Sequence, residues 1–125
     1  MAFSKSSTIE IPVNEETITA NSTFNSLAVS LGNTFAVHIQ ASVTFDGSAI
    51  GDAIISVLTS NDNSTFDIED VPFSTFTVDH TKADSDVVTM SKEILVQAAK
   101  YLKISVTNND SSSIDATVSL SKGMM

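Results

Sequence analysis

Between Thr34 and Phe45 the chain alternates without a slip. Phe35, Val37, Ile39, Ala41, Val43 and Phe45 fall on one phase, and Thr34, Ala36, His38, Gln40, Ser42 and Thr44 on the other. A period of two belongs to a β-strand, whose successive side chains point to opposite faces. Apolar residues held in register over that span make an oily face about 40 Å long at ~3.3 Å per residue. Such a face has to pack against a second sheet, while the small, polar opposite face suits solvent or a wet subunit contact. This pattern predicts an antiparallel sheet buried on one side.

The remaining sequence supplies strand candidates at intervals of about 8–12 residues, the spacing of a sandwich or barrel. Thr8 to Val13 alternates with Ile9, Ile11 and Val13 inward, and Pro12, which cannot donate to a ladder, argues for an edge position. Glu15 to Ala20 is a weaker strand before a turn at Asn21-Ser22-Thr23. Ser26 to Leu31 carries Leu27, Val29 and Leu31 in phase, and Gly32-Asn33 is expected to turn it into the long strand as a hairpin. Asp46-Gly47-Ser48 reads as a hairpin turn ending the long strand, after which Ala53 to Thr59 returns as an apolar strand buried on both sides. A dense turn, Ser60-Asn61-Asp62-Asn63-Ser64-Thr65, precedes Phe66-Asp67-Ile68. Phe73 to Val78 and Asp86 to Met90 are short strands separated by the polar stretch Asp79 to Ser85. Lys92 to Leu102 also satisfies a helical template through Ile94, Leu95, Ala98, Ala99 and Leu102, but a strand at Glu93 to Gln97 with a corner at Ala98-Ala99 is preferred. Tyr101 to Thr107 and Ile114 to Leu120 are expected to form a final hairpin around Asn108-Asn109-Asp110-Ser111, with Leu102, Ile104 and Val106 facing Ile114, Ala116, Val118 and Leu120. The predicted fold is all-β: an antiparallel β-sandwich of jelly-roll type with about eight to nine short strands. Any helix is limited to a turn or two near Glu93 to Ala99. A single domain is expected over residues 1–125, with 1–7 as a flexible or docking N-terminal arm.

Composition narrows the function classes. A chain of 125 residues is long enough for one self-supporting core. It has no cysteine, which removes disulfides, thiolate metal sites and cysteine nucleophiles. It also has no arginine, and six lysines against fifteen carboxylates leave a net charge of −9. Phosphate recognition depends on cationic side chains, so neither nucleic acid nor an anionic membrane is an expected partner. Ser and Thr account for 34 residues, costly in helices but suited to turns and the exposed face of a sheet. No apolar run has the length of a signal h-region or a membrane span, so synthesis in cytosol-like conditions is expected. The sequons at Asn21, Asn63 and Asn109 are therefore read as turns.

No constellation of reactive groups emerges. His38 on the outer phase of the long strand and His80 in a polar loop have no partner at metal-ligand spacing. No G-x-S-x-G elbow exists to raise a serine nucleophile. Asp62, Asp67, Glu69 and Asp70 could gather around a Ca²⁺ ion, but counted from Asp62 the loop lacks the glycine and alternating ligands of an EF-hand, and a solvated acidic loop is the preferred reading. No enzymatic activity, cofactor, metal or small-molecule ligand is expected. The aromatics Phe66, Phe73 and Phe76 lie in the most turn-rich part of the chain, where they either plug an open end of the sandwich or form an exposed patch. Apolar residues also stand at both termini, Phe3 at one and Met124 at the other.

From about Thr34 onward the order of parts resembles a broad group of small β-sandwich virion proteins of tailed bacteriophages, found as head decoration (cement) proteins, head fibres and tail-associated modules. The likeness rests on the alternating strand Thr34 to Phe45 and on Ala53 to Leu58 running into Ser60-Asn61-Asp62-Asn63-Ser64-Thr65-Phe66. It rests also on Ala99-Lys100-Tyr101-Leu102-Lys103-Ile104-Ser105-Val106-Thr107 and the closing strand Ile114 to Leu120. Asn63 replaces the glycine usual in that group, and Phe66 stands where tryptophan is common. The resemblance implies a capsid decoration protein in the virion, binding the major capsid protein and itself, with a trimer favoured. Phe3, Ile9, Ile11, Phe73, Phe76 and Met124 are the expected subunit or capsid contacts. A tail- or fibre-associated receptor- or carbohydrate-binding module is the alternative, although such sites usually present exposed Trp or Tyr and this chain has no Trp and one Tyr.

Overall fold

The structure, a computed structural model, describes residues 4–6, 8–46, 51–80 and 86–124. Among them are ten strands: β1 (Ser4–Lys5), β2 (Glu10–Ile18), β3 (Thr23–Asn25), β4 (Val29–Ser30), β5 (Thr34–Thr44), β6 (Asp52–Ser60), β7 (Ser74–Asp79), β8 (Val87–Leu95), β9 (Tyr101–Asn108) and β10 (Ile114–Met124). The described residues contain no α-helix. Lys92 to Leu102 resolves as strand through Leu95 followed by a turn in which Ala99 N donates to Val96 O at 2.8 Å.

The strands form two antiparallel five-stranded sheets packed as a sandwich of jelly-roll type. The first has the order β1-β10-β5-β8, with β2 also on β10; the second has the order β3-β9-β6-β7, with β4 also on β9. From Val37 onward β5 behaves as its alternation requires, with Val37, Ile39, Ala41 and Val43 buried and His38, Gln40 and Thr44 exposed, whereas at its start Thr34 and Ala36, expected on the polar face, are buried and Phe35 is half-buried. Those residues meet Ile55, Val57, Leu102, Ile104 and Val106 of the other sheet in one core cluster. Each fully buried aliphatic side chain of this kind contributes roughly 1.5–3 kcal/mol.

Three expected hairpins are absent, because alternation fixes which face a residue takes but not which strand lies beside it. β4 pairs with β9, so Gly32-Asn33 carries the chain from one sheet to the other. β5 and β6 likewise lie in different sheets, so the segment between them crosses the sandwich; Gly47 and Ser48 lie outside the described residues. β9 and β10 face each other across the core as an arch. The expected opposition of Leu102, Ile104 and Val106 to Ile114, Ala116, Val118 and Leu120 holds, through packing and without a ladder between them. At this arch, Gly51 N donates to Asp110 Oδ1 at 2.9 Å, and a Cβ on Gly51 would come within 2.8 Å of Asn109 O.

Bulges account for the residues assigned to the wrong face. On β2, Glu16 pairs with Ala116 but Val13 with Val118, and Glu10 with Leu120, so β2 holds one extra residue at each step. Glu15 adopts φ 50° at the first of these. The slips keep Val13 and Ile18 buried while Ile9 and Ile11, expected inward, are exposed. A similar slip separates β3 from β4: Phe24 pairs with Val106 and Val29 with Leu102, leaving an extra residue at Ser26-Leu27. Ser26 is buried and tied both ways to Ile104, and Leu27 is turned out at 89% exposure.

Candidate interaction surface

The segment joining β6 to β7, residues 61–73, is fixed by its own carboxylates. Asp62 Oδ1 accepts from Ser60 Oγ at 2.9 Å, Ser64 N at 2.9 Å and Thr65 N at 2.8 Å. The backbone N–H groups of Thr65 and Ser64, then the Ser60 hydroxyl, hold the Asp62 carboxyl down to about 2 from its ordinary 3.8. Asn63, which stands where the resemblance leads one to expect glycine, takes φ 61°, a left-handed conformation that asparagine tolerates. Asp67 then acts as a substitute strand. Its Oδ2 accepts from both Thr59 N and Thr59 Oγ1 at 2.8 Å, and its own N donates to Thr59 O at 3.1 Å.

Phe66 is half-buried, with Lys103 Nζ 4.7 Å from its ring centroid. Beyond it, Val71 N donates to Ile68 O at 3.0 Å and Phe73 N to Val57 O at 2.9 Å, closing a tight turn onto the side of β6. The result is a firmly bonded loop that turns Ile68 (66% exposed), Val71 (68%) and Phe73 (47%) to solvent. Beside it lies an open cleft of about 320 Å³ between Phe73 and Leu95, floored by Asn61 and the Val96–Ala99 turn.

The expected contact residues do not converge. Phe73 belongs to this surface. Phe76, expected as a loop aromatic, lies within β7, paired with the fully buried Ile55, and packs against the core from its edge. Ile9 and Ile11 are exposed at the β2 edge of the other sheet. Met124 is half-buried at the end of β10, opposite Ser4 and Thr34, so the C-terminal segment is ladder as far as Met124. Phe3 lies outside the described residues. Of the N-terminal arm, Ser4 and Lys5 pair with Met124 and Gly123, and Ser6 N donates to Lys122 O at 2.9 Å, so this stretch adds to the chain's own sheet. Ile68, Val71 and Leu95 were missed by sequence reasoning. The available signal was a pair of isolated aliphatics in an Asp-, Glu- and Pro-rich loop too short to reach the core.

The histidines stay apart. His38 lies on the outer face of β5, paired with Glu93 of β8. His80 Nε2 lies 3.2 Å from Asp86 Oδ1, and its ring centroid is 5.0 Å from that of Phe45. Among the described residues no group of three or more His, Asp or Glu side chains gathers as metal ligands would. Glu69 Oε1 accepts from Asn25 Nδ2 at 2.9 Å.

No family model and no curated protein sequence matches the chain. Solved structures do. The PBSX exported protein XepA superposes with a TM-score of 0.64 at 12% identity over 95% of this chain, which spans 38% of XepA. A CBM4 protein gives 0.58 at 14% identity over 85% of this chain and 69% of its own. PRD1 vertex protein P5 gives 0.51 at 14% identity over 85% of each chain. At these identities the likeness is one of architecture: the chain shares its β-sandwich with phage proteins and a carbohydrate-binding module.

Proposed function

We propose that this chain is a structural component of a phage virion, a decoration (cement) protein held on the head shell by the β6–β7 loop. The observation that carries the reading is the bonded, solvent-facing group Ile68, Val71 and Phe73 beside the Leu95–Ala99 cleft. Aromatic and aliphatic anchors that become desolvated supply most interface energy, and a loop already fixed in place loses little entropy on docking. The fold's recurrence in phage proteins supports the setting. The major capsid protein is the proposed partner. A net charge of −9 favours a basic shell patch. In this role the chain binds and stabilises and has no catalytic function.

The test is co-sedimentation of purified protein with particles assembled from the same phage's capsid protein. Wild type is expected to pellet with particles, and Phe73→Ser combined with Val71→Ser to stay in the supernatant with an unchanged circular dichroism spectrum. A carbohydrate-binding role has one specific observation in its favour. Tyr101, the single tyrosine, lies half-buried on the outer phase of β9 beside a depression lined by Ser30, Gly32 and Lys100. Wild-type protein that ignores particles but binds a glycan array in a Tyr101-dependent way would replace the decoration reading.

A further inference from the structure

The sandwich has free strand edges, and they are not protected equally. At the β2 edge of the first sheet, Pro12 removes a donor, two bulges break the ladder, and Glu10, Glu15 and Glu16 add charge. In the second sheet, β3 and β4 are three and two residues long. At its other edge, Lys92 Nζ reaches across from β8 to donate to Thr75 O of β7 at 3.1 Å, capping that strand's outward carbonyl. β8 differs. It runs nine residues in unbroken register with β5 and contains neither proline nor bulge.

Its pattern is also palindromic about Ser91. In the sequence Val87-Val88-Thr89-Met90-Ser91-Lys92-Glu93-Ile94-Leu95, a two-fold axis through Ser91 sets Val88 opposite Ile94, Val87 opposite Leu95, Met90 opposite Lys92 and Thr89 opposite Glu93 of a second copy. Apolar residues meet apolar residues at both ends, an alkyl stem lies along a thioether, and no like charges are directly opposed. Val87, Met90 and Leu95 are exposed in the single chain.

The main-chain geometry has the matching parity. Phe45 N donates to Asp86 O at 2.7 Å and Val96 N to Phe35 O at 2.9 Å, and the β5–β8 register between them has no slip. Even-numbered residues of β8 therefore direct N–H and C=O toward β5. Thr89, Ser91 and Glu93 direct theirs to the open edge. With Ser91 on an antiparallel two-fold axis, the groups facing the open edge make Ser91 with Ser91, and Thr89 with Glu93, the pairs that exchange hydrogen bonds.

From these observations we propose that β8 pairs antiparallel with β8 of a second copy of this chain about a two-fold axis at Ser91, joining two five-stranded sheets into one continuous sheet. The contact is isologous and self-limiting, because each copy presents the same edge to the other. It differs from the three-fold arrangement that the resemblance implies, and it is independent of what the assembled protein docks against.

The chain's lack of cysteine makes the register directly testable. In the proposed pairing the two Ser91 Cα atoms lie about 5.5 Å apart, within disulfide reach. Full-length Ser91→Cys is expected to oxidise to a covalent dimer, while Gln40→Cys, exposed on β5 away from the edge, should not. Wild type is expected to be a dimer by sedimentation equilibrium. Ser91→Pro removes an N–H that faces away from β5 and should raise the dimer dissociation constant at least about tenfold with an unchanged circular dichroism spectrum. Wild type that stays monomeric at all concentrations, or Ser91→Cys that cross-links no faster than Gln40→Cys, overturns the proposal. So does a trimer whose mass Ser91→Pro leaves unchanged. Should Ser91→Pro fail to fold, the cysteine pair decides alone.

Discussion

Asn108 Nδ2 donates to the carbonyl oxygen of Ile18 at 3.1 Å, tying the end of β9 in one sheet to the end of β2 in the other. The same amide reaches the carbonyls of Thr19 at 3.1 Å and Ser112 at 2.9 Å, while its Oδ1 accepts from Asp110 N at 2.8 Å. The residue is fully buried. Asn108→Ala would strand several backbone carbonyls without a donor, and the expected loss is about 2–4 kcal/mol in urea denaturation with an unchanged slope. A loss below about 0.5 kcal/mol, the range of ordinary surface changes, would mean that water replaces the amide.

Two turns carry opposite backbone fits. Gly32 has φ 51° and open space where a Cβ would stand, so Gly32→Ala introduces left-handed strain and no clash. That strain is about 1–2 kcal/mol, offset by roughly 0.5–1 kcal/mol of unfolded-state entropy, and a net destabilisation of about 0.5–1 kcal/mol is expected. Gln97 occupies φ 38° with a side chain already in place, so Gln97→Gly should stabilise by a similar amount. Thermal melts of the two variants should move in opposite directions.

Acid should loosen the β6–β7 loop at its first turn. The folded Asp62 carboxyl titrates at about 2, below its ordinary 3.8, so its contribution is complete above about pH 4 and is lost as pH falls through about 2. Hydrogen exchange at the Ser64 and Thr65 amides should accelerate over that window relative to the core strands. In Asp62→Asn this acid-dependent step should vanish, and an unchanged profile in that variant would assign the step to another group.

Phe73 and Phe76, three residues apart, should respond differently to the same change. Phe76→Ser removes an aromatic packed on the core beside Ile55 and is expected to cost about 2–3 kcal/mol. Phe73→Ser should shift stability by less than about 0.5 kcal/mol, because nearly half of that side chain already faces solvent. Equal losses in chemical denaturation would place Phe73 in the core and remove it from the proposed docking surface.

What was legible in the sequence was whatever depends on local alternation. The faces of β9 and of β5 from Val37 onward, and the edge position of β2 signalled by Pro12, follow from neighbours within a few residues, whereas the corner expected at Ala98-Ala99 comes earlier, with β8 ending at Leu95. Strand partnership did not, because Gly32-Asn33 and Asn108–Ser111 have the same turn chemistry whether they close a hairpin or arch between sheets. Faces failed at Ile9, Ile11 and Leu27, where one extra residue in a bulge reverses the phase of everything beyond it. The exposed group at Ile68, Val71 and Phe73 was hidden for a related reason. Its orientation depends on Asp67 binding Thr59 and Phe73 binding Val57, contacts that hydropathy does not encode.

The position of β10 governs the order in which the first sheet can close. β1, β2 and β5 all hydrogen-bond to β10, and among the described residues only β6 and β7 are ladder partners adjacent in sequence. Without Ile114–Met124 the second sheet keeps all its ladders and β5 keeps β8, but β1 and β2 have no strand to pair with. The first sheet therefore closes in two stages, and until β10 docks, β1, β2 and the inner edge of β5 are open to neighbouring chains.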